Sequence, residues 1–160
     1  MFQTTAYSGE KVKDYEMLLK QLTALTEDEN DVIANLSNAS ALLNQFLHDV
    51  NWVGFYLWKE DQLVLGPFQG LPACLRIDYG KGVCGTAIST GESQVVEDVT
   101  KFPGHIACDS ASKSEIVIPL KVNGEIFGVL DIDSPSTNRF DETDREYLEK
   151  FGKIVEGFGK

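Results

Sequence analysis

The sequence holds only two histidines and three cysteines, and neither set has the spacing of a zinc site. His48 and His105 lie far apart, and no C-x-x-C pair occurs. G-x-x-x-x-G-K-[ST] and H-E-x-x-H are absent too, so the nucleotide P-loop, the zinc-protease helix and the thioredoxin-type motif drop out. No metal and no cofactor is expected. Basic residues are scarce, with 14 Lys and Arg against 25 Asp and Glu, a net charge of −11 that repels phosphate backbones and anionic membranes. Nucleic acid is therefore not an expected partner. Apolar runs such as Ile116–Leu120 and Ile126–Leu130 fall far short of the roughly 20 residues that cross a bilayer. Met1-Phe2-Gln3-Thr4-Thr5 lacks the basic start and apolar stretch of a secretory signal, which points to the cytosol.

What is present suits an ordinary globular chain: 160 residues, 42% apolar, 24% charged and 10% aromatic. A chain of this size buries roughly 70% of the surface its unfolded form exposes, enough for a core without staples. One domain over residues 1–160 is expected. In a reducing compartment its three cysteines read as thiols with catalytic, redox or core roles.

Helical periodicity runs through the first fifty residues, with Tyr15, Leu18, Leu19, Leu22 and Leu25 on one stripe. Val32, Leu36, Ala39, Leu42, Leu43, Phe46 and Leu47 form a second, so two helices are predicted within about 10–49. Asn30 or Asp31 caps the second. The period then changes. Trp52–Trp58 and Gln62–Gln69 read as a hairpin about Lys59-Glu60-Asp61. Gly80-Lys81-Gly82-Val83-Cys84-Gly85 suits a tight entry into a short helix ending near Gly91, and Gln94–Glu97 reads as a strand. Residues 98–112 lack a period and read as a long loop. Glu115–Val122 and Glu125–Asp133 flank Asn123-Gly124, a strong hairpin signal, and are expected to be central strands. A final helix over about 141–158 starts at acidic Asp141-Glu142-Thr143-Asp144. The order argues an α+β fold with helices packed on an antiparallel sheet.

Cys74, Cys84 and Cys108 all fall in the loop-rich middle third. Free cysteine is often simply a small buried hydrophobe. Two settings favour reactivity instead. Cys84 lies at a helix start, where unpaired N–H groups lower a thiol pKa, and Cys108 lies three residues after His105 and five before Lys113. Asp131 and Asp133 share one side of their strand. In a tight hairpin about Asn123-Gly124, Glu115 lies opposite Ile132 and diagonal to both aspartates, so three acids can cluster. Such a cluster raises the pKa of a member, which then serves as a general acid, while the others could hold an ammonium group. Calcium or magnesium would be a competing use, but no recognised loop for either is present. Trp52, Tyr56 and Trp58 make one side of the first strand aromatic, which suits core packing or a soft methylthio group.

Six stretches together resemble the free methionine-(R)-sulfoxide reductases, stand-alone GAF-domain enzymes. They are Asn51–Tyr56, Leu63–Gly70, Gly80–Gly85, His105–Asp109, Ser114–Pro119 and Gly128–Ser134, with cysteine spacings of 10 and 24. The resemblance implies a GAF-like fold with a six-stranded antiparallel sheet flanked by helices, a homodimer, and free L-methionine (R)-S-oxide as substrate. It implies Cys108 as nucleophile, Cys74 as resolving thiol and Cys84 as an alternate or accessory one, with Glu115 or Asp133 as proton donor. The helix-start argument alone favours Cys84 as the nucleophile. Substrate contacts are expected from Trp52 and Tyr56 at the methylthio end and from Asp131, Glu115 and Asp133 at the ammonium. Backbone N–H groups of Ile106, Ala107 and Cys108 are expected at the carboxylate. Thioredoxin is the implied reductant. The rival from another class is a GAF sensory module whose cysteines respond to redox state.

Overall fold

The computed structural model describes residues 7–106 and 108–160. Two helices lead, α1 (Lys11–Thr26) and α2 (Val32–Phe46), inside the predicted span. Asp31 is the cap of α2, its carboxylate accepting the Ala34 N–H at 2.8 Å. Strands β1 (Trp52–Lys59) and β2 (Gln62–Gly70) follow as the expected hairpin. Glu60 and Asp61 at its tip both have positive φ, as a two-residue turn between twisted strands requires. Next come β3 (Arg76–Asp78), α3 (Gly82–Thr90) and β4 (Gln94–Val96). The hairpin β5 (Ser114–Val122) and β6 (Glu125–Ser134) and the helix α4 (Glu142–Glu156) complete the order.

All six strands join one antiparallel sheet in the order β3-β2-β1-β6-β5-β4. Of the β5–β6 pair expected at the centre, β6 is central and β5 lies one place from the edge. Strand β3 and a 3-10 turn at Val99–Lys101 escaped the sequence reading, being too short to show a period.

The side-chain alternation of β1, β5 and β6 divides the interior. On one face Val53, Phe55, Leu57, Ile116, Ile118, Leu120, Leu130 and Ile132 meet Leu18, Leu22, Leu36, Leu43, Leu148 and Phe151 of α1, α2 and α4. Each such side chain, fully buried, contributes about 1.5–3 kcal/mol. The opposite face carries Trp52, Tyr56, Val117 and Val129 under Val83, Cys84, Ala87 and Ile88 of α3. Helix α3 lies close to the end of β3: a Cβ at Gly85 would come within 2.4 Å of the Asp78 carbonyl oxygen.

A polar cluster ties the ends of the helical layer together. Asp144, fully buried, accepts the Tyr15 hydroxyl at 2.5 Å, Lys11 Nζ at 3.0 Å and Arg139 Nη1 at 3.4 Å. It also accepts the Asp141 N–H at 2.9 Å, closing a capping box with Asp141 at the start of α4.

Candidate active site

The carboxylates come together through a defect in the sheet. Near the Asn123-Gly124 turn the strands pair in the tight-hairpin register, with Lys121 opposite Ile126. A bulge between Leu120 and Lys121 then shifts it by one, so Glu115 faces Asp133 and Ile116 faces Ile132. This corrects the expected pairing of Glu115 with Ile132. Directly opposed residues share a face, so the unbulged register would have sent Glu115 to the helix side, away from the aspartates. With the bulge, Glu115, Asp131 and Asp133 all project from the α3 face.

Among the described residues, no ion pair engages these three acids. Glu115 and Asp131 are 7% and 6% exposed, and one oxygen of Asp131 and one of Asp133 are buried without a hydrogen-bond partner. Burial, then the charges of Asp131 and Asp133, push the Glu115 carboxyl well above the usual range. Burial also raises Asp131, but hydrogen bonds from Glu115, Cys84 and Asp133 hold it back. Asp133 is pushed well up by burial and Asp131, with some relief from the Ser112 hydroxyl, which donates to it at 2.8 Å. Burial and mutual repulsion thus favour the protonated form at Glu115 and Asp133, while Asp131 accepts hydrogen bonds from both.

Cys74 and Cys108 form a disulfide with Cα atoms 5.3 Å apart, and Cys84 is free and buried. The helix-start expectation for Cys84 is reversed. Burial, then Asp131 and Glu115, push its thiol well up, so its place at a helix start does not lower it. Cys84, Glu115 and Asp131 offer donor atoms within 4.8 Å of one another, but a protonated thiol is a poor metal ligand.

One pocket is lined by Trp52, Tyr56, Cys84, Cys108, Glu115, Asp131 and Asp133, joined by Lys81, Gly82, Val83, His105, Ile106, Asp109 and Ser112. Trp52 and Tyr56 are 2% exposed and stacked with centroids 5.8 Å apart. Trp58 is turned toward Tyr79 instead. Ile106 packs over Gly82, and the Cys108 N–H is already given to the Ile106 carbonyl at 3.2 Å. Ala107 lies outside the described residues. The first turn of α3 supplies donors that the sequence reading weighed only for their effect on Cys84: the N–H groups of Gly82, Val83 and Cys84 have no intrahelical acceptor, and no side chain caps them. Gly80–Gly85 also spells G-x-G-x-x-G, yet it follows the antiparallel edge strand β3 rather than a strand of a parallel βαβ unit, so it is no dinucleotide turn. His105, expected as a positive neighbour of Cys108, is held down by burial against the raising effect of Asp131. Asn51, Asp109 and Ser112 were missed as well. Asn51 Nδ2 donates to Asp109 Oδ2 at 3.0 Å and to Ser112 Oγ at 3.1 Å, fastening the Cys108 loop to the start of β1.

The sequence profile of the GAF domain family matches residues 31–157. Protein YtsP of Bacillus subtilis is 63% identical over 158 residues, covering 98% of this chain and 97% of that protein. The free methionine-R-sulfoxide reductase of Escherichia coli is 53% identical over 138 residues, covering 86% of this chain and 84% of that one. The X-ray structure of free methionine-R-sulfoxide reductase from Neisseria meningitidis in complex with its substrate superposes with a TM-score of 0.95 at 46% identity, covering 99% and 95% of the two chains. On these matches, the chain belongs to the GAF-domain family of free methionine-R-sulfoxide reductases.

Proposed function

We propose that the protein reduces free L-methionine (R)-S-oxide to L-methionine with Cys108 as nucleophile and Cys74 as resolving thiol. The observation that carries this reading is the Cys74–Cys108 pair beside a pocket holding three buried carboxylates and an aromatic wall. The Cys108 thiolate attacks the sulfoxide sulfur while the proton stored on Glu115, or on Asp133, passes to the sulfoxide oxygen. Oxygen ends on the Cys108 sulfur as a sulfenic acid, the methionine sulfur gains the electron pair, and methionine leaves. Cys74 then displaces the sulfenic oxygen as water, giving the disulfide and protecting Cys108 from further oxidation. Cys84, protonated and beside Asp131, is an accessory thiol.

Asp131 receives the substrate ammonium, with Glu115 and Asp133 at its side, and Trp52 and Tyr56 enclose the methylthio end. The uncapped N–H groups that open α3, at the pocket wall, face the carboxylate. A site that grips both charged ends of an amino acid selects the free molecule over a protein-bound residue. Thioredoxin restores the thiols by exchange with the disulfide, whose Cys74 is flanked in the chain by the exposed Leu71 and Leu75. The protein works as a homodimer in the cytosol. Among the described residues no helix is long and apolar enough to cross a membrane.

Consumption of free L-methionine (R)-S-oxide with dithiothreitol tests the reading. Turnover by the parent and none by Cys108→Ser is expected. A parent without turnover would leave the chain a ligand-binding or redox-sensing module, and an active Cys108→Ser would remove Cys108 as nucleophile.

A further inference from the structure

The segment that carries Cys74 has little apolar anchorage. Residues 71–74 lie outside any helix or strand, and Leu71 and Leu75 are 64% and 70% exposed. Polar contacts hold it instead. Trp52 Nε1–H donates to the Leu71 carbonyl at 3.2 Å, the Tyr56 hydroxyl to the carbonyl of Cys74 itself at 2.9 Å, and the Leu65 N–H to the Leu75 carbonyl at 3.0 Å. Two of these three donors are the polar tips of the rings that wall the pocket. Those rings are well fixed: both are buried, and Trp52 stacks on Phe68 at 5.1 Å. Burial, followed by the carboxylate charges led by Asp131, pushes the Tyr56 hydroxyl far up, so it remains a donor throughout the neutral range.

We infer that Tyr56, seconded by Trp52, is a positioning residue for closure of the Cys74–Cys108 disulfide. The inference rests on the reaction proposed above and assigns its wall residues a second task. In the closing step the Cys74 sulfur attacks the sulfenic sulfur of Cys108. The S–S bond forms as the S–O bond breaks, and the oxygen leaves as water with the proton given up by Cys74, so no further reductant enters. The rate of such an intramolecular step follows the fraction of time that the thiol spends within reach. A tether on the carbonyl of Cys74 acts on that fraction directly. From the other side, Asn51 fastens the Cys108 loop through Asp109 and Ser112. Both cysteine segments are therefore held by side chains of one short stretch, Asn51, Trp52 and Tyr56, at and just inside β1.

A single-turnover experiment tests this with the reduced full-length chain and excess L-methionine (R)-S-oxide. Methionine, dimedone-trapped Cys108 sulfenic acid and the Cys74–Cys108 disulfide are read from the same quenched samples. In Tyr56→Phe, disulfide closure should slow about fivefold, roughly the factor one neutral hydrogen bond carries. The dimedone adduct should then accumulate on Cys108, and the disulfide should be reduced at a more oxidising glutathione poise than in the parent. Trp52→Phe, which loses the indole donor, provides a second variant and should shift both readouts the same way. Equal sulfenic-acid lifetimes and equal redox equilibria in parent and variants, with methionine formed in all, would overturn the inference. A parent that forms no methionine would instead overturn the reaction beneath it.

Discussion

Replacing Glu115 by glutamine should separate what this residue does for catalysis from what it costs the fold. Glu115 is buried opposite Asp133 and beside Asp131, and its carboxyl is pushed well up by burial and by those two charges. The native cluster therefore retains a proton at pH values where an unfolded glutamate, with a pKa of about 4.3, has lost it. The sign follows from that difference: the native state binds one proton more, so stability falls as pH rises from the unfolded pKa toward the native one. The slope is about 1.4 kcal/mol per pH unit for one proton. Glutamine keeps the shape and an N–H donor but takes up no proton. As pH rises above the unfolded pKa the variant should gain stability steadily relative to the parent, at up to that slope, until the native pKa is passed. Urea midpoints at three pH values, with unchanged m, measure the gain. In the same variant kcat/KM for the sulfoxide should fall by about 10²-fold or more as the proton supply is lost. A stability difference that stays constant across the pH series would refute the stored proton.

Asp131→Asn removes the partner proposed for the substrate ammonium, a charge-assisted contact, so KM should rise about 10- to 100-fold while sulfenic acid still forms at saturating substrate. Steady-state kinetics with dithiothreitol read this directly. Asp144→Ala should destabilise by about 3 kcal/mol, since Arg139 and the Tyr15 hydroxyl lose their buried acceptor, while Lys11 is 44% exposed and hydrates readily. The urea midpoint checks it, with a loss under about 1 kcal/mol counting against the cluster as a structural tie.

Local signals carried far in this chain where one residue type determines one outcome. Asn123-Gly124 marks the hairpin through its paired positive φ values, and Trp52, Tyr56 and Phe55 sort to opposite faces by strand alternation alone. The α4 start is visible in Asp141 and Asp144 because a capping box is a four-residue matter. Signals failed where the outcome depends on a distant partner. Pro119 hints at an irregularity beside Leu120/Lys121 but does not fix the register, yet the bulge there decides whether Glu115 reaches the aspartates. Cys84 misled because a helix dipole is legible nearby, whereas the acids that oppose it lie more than thirty positions away along the chain. The tether from Tyr56 to Cys74 crosses from strand to coil and could not be seen without coordinates.

The sheet has two unlike sides. Three helices and the larger apolar cluster cover one, while α3 and the loops that bear the redox cysteines cover the other. Global unfolding is therefore expected to follow the helical side, and a lesser, local opening the loops on the α3 side. Amide exchange should register this as two tiers of protection, with the residue 71–75 and 98–106 segments exchanging at a rate that disulfide reduction raises. Buried strand amides of β6 should keep the slow rate in both redox states. The proposed chemistry, which makes and breaks a covalent link on every cycle, is then confined to a region whose loosening leaves the rest of the molecule folded.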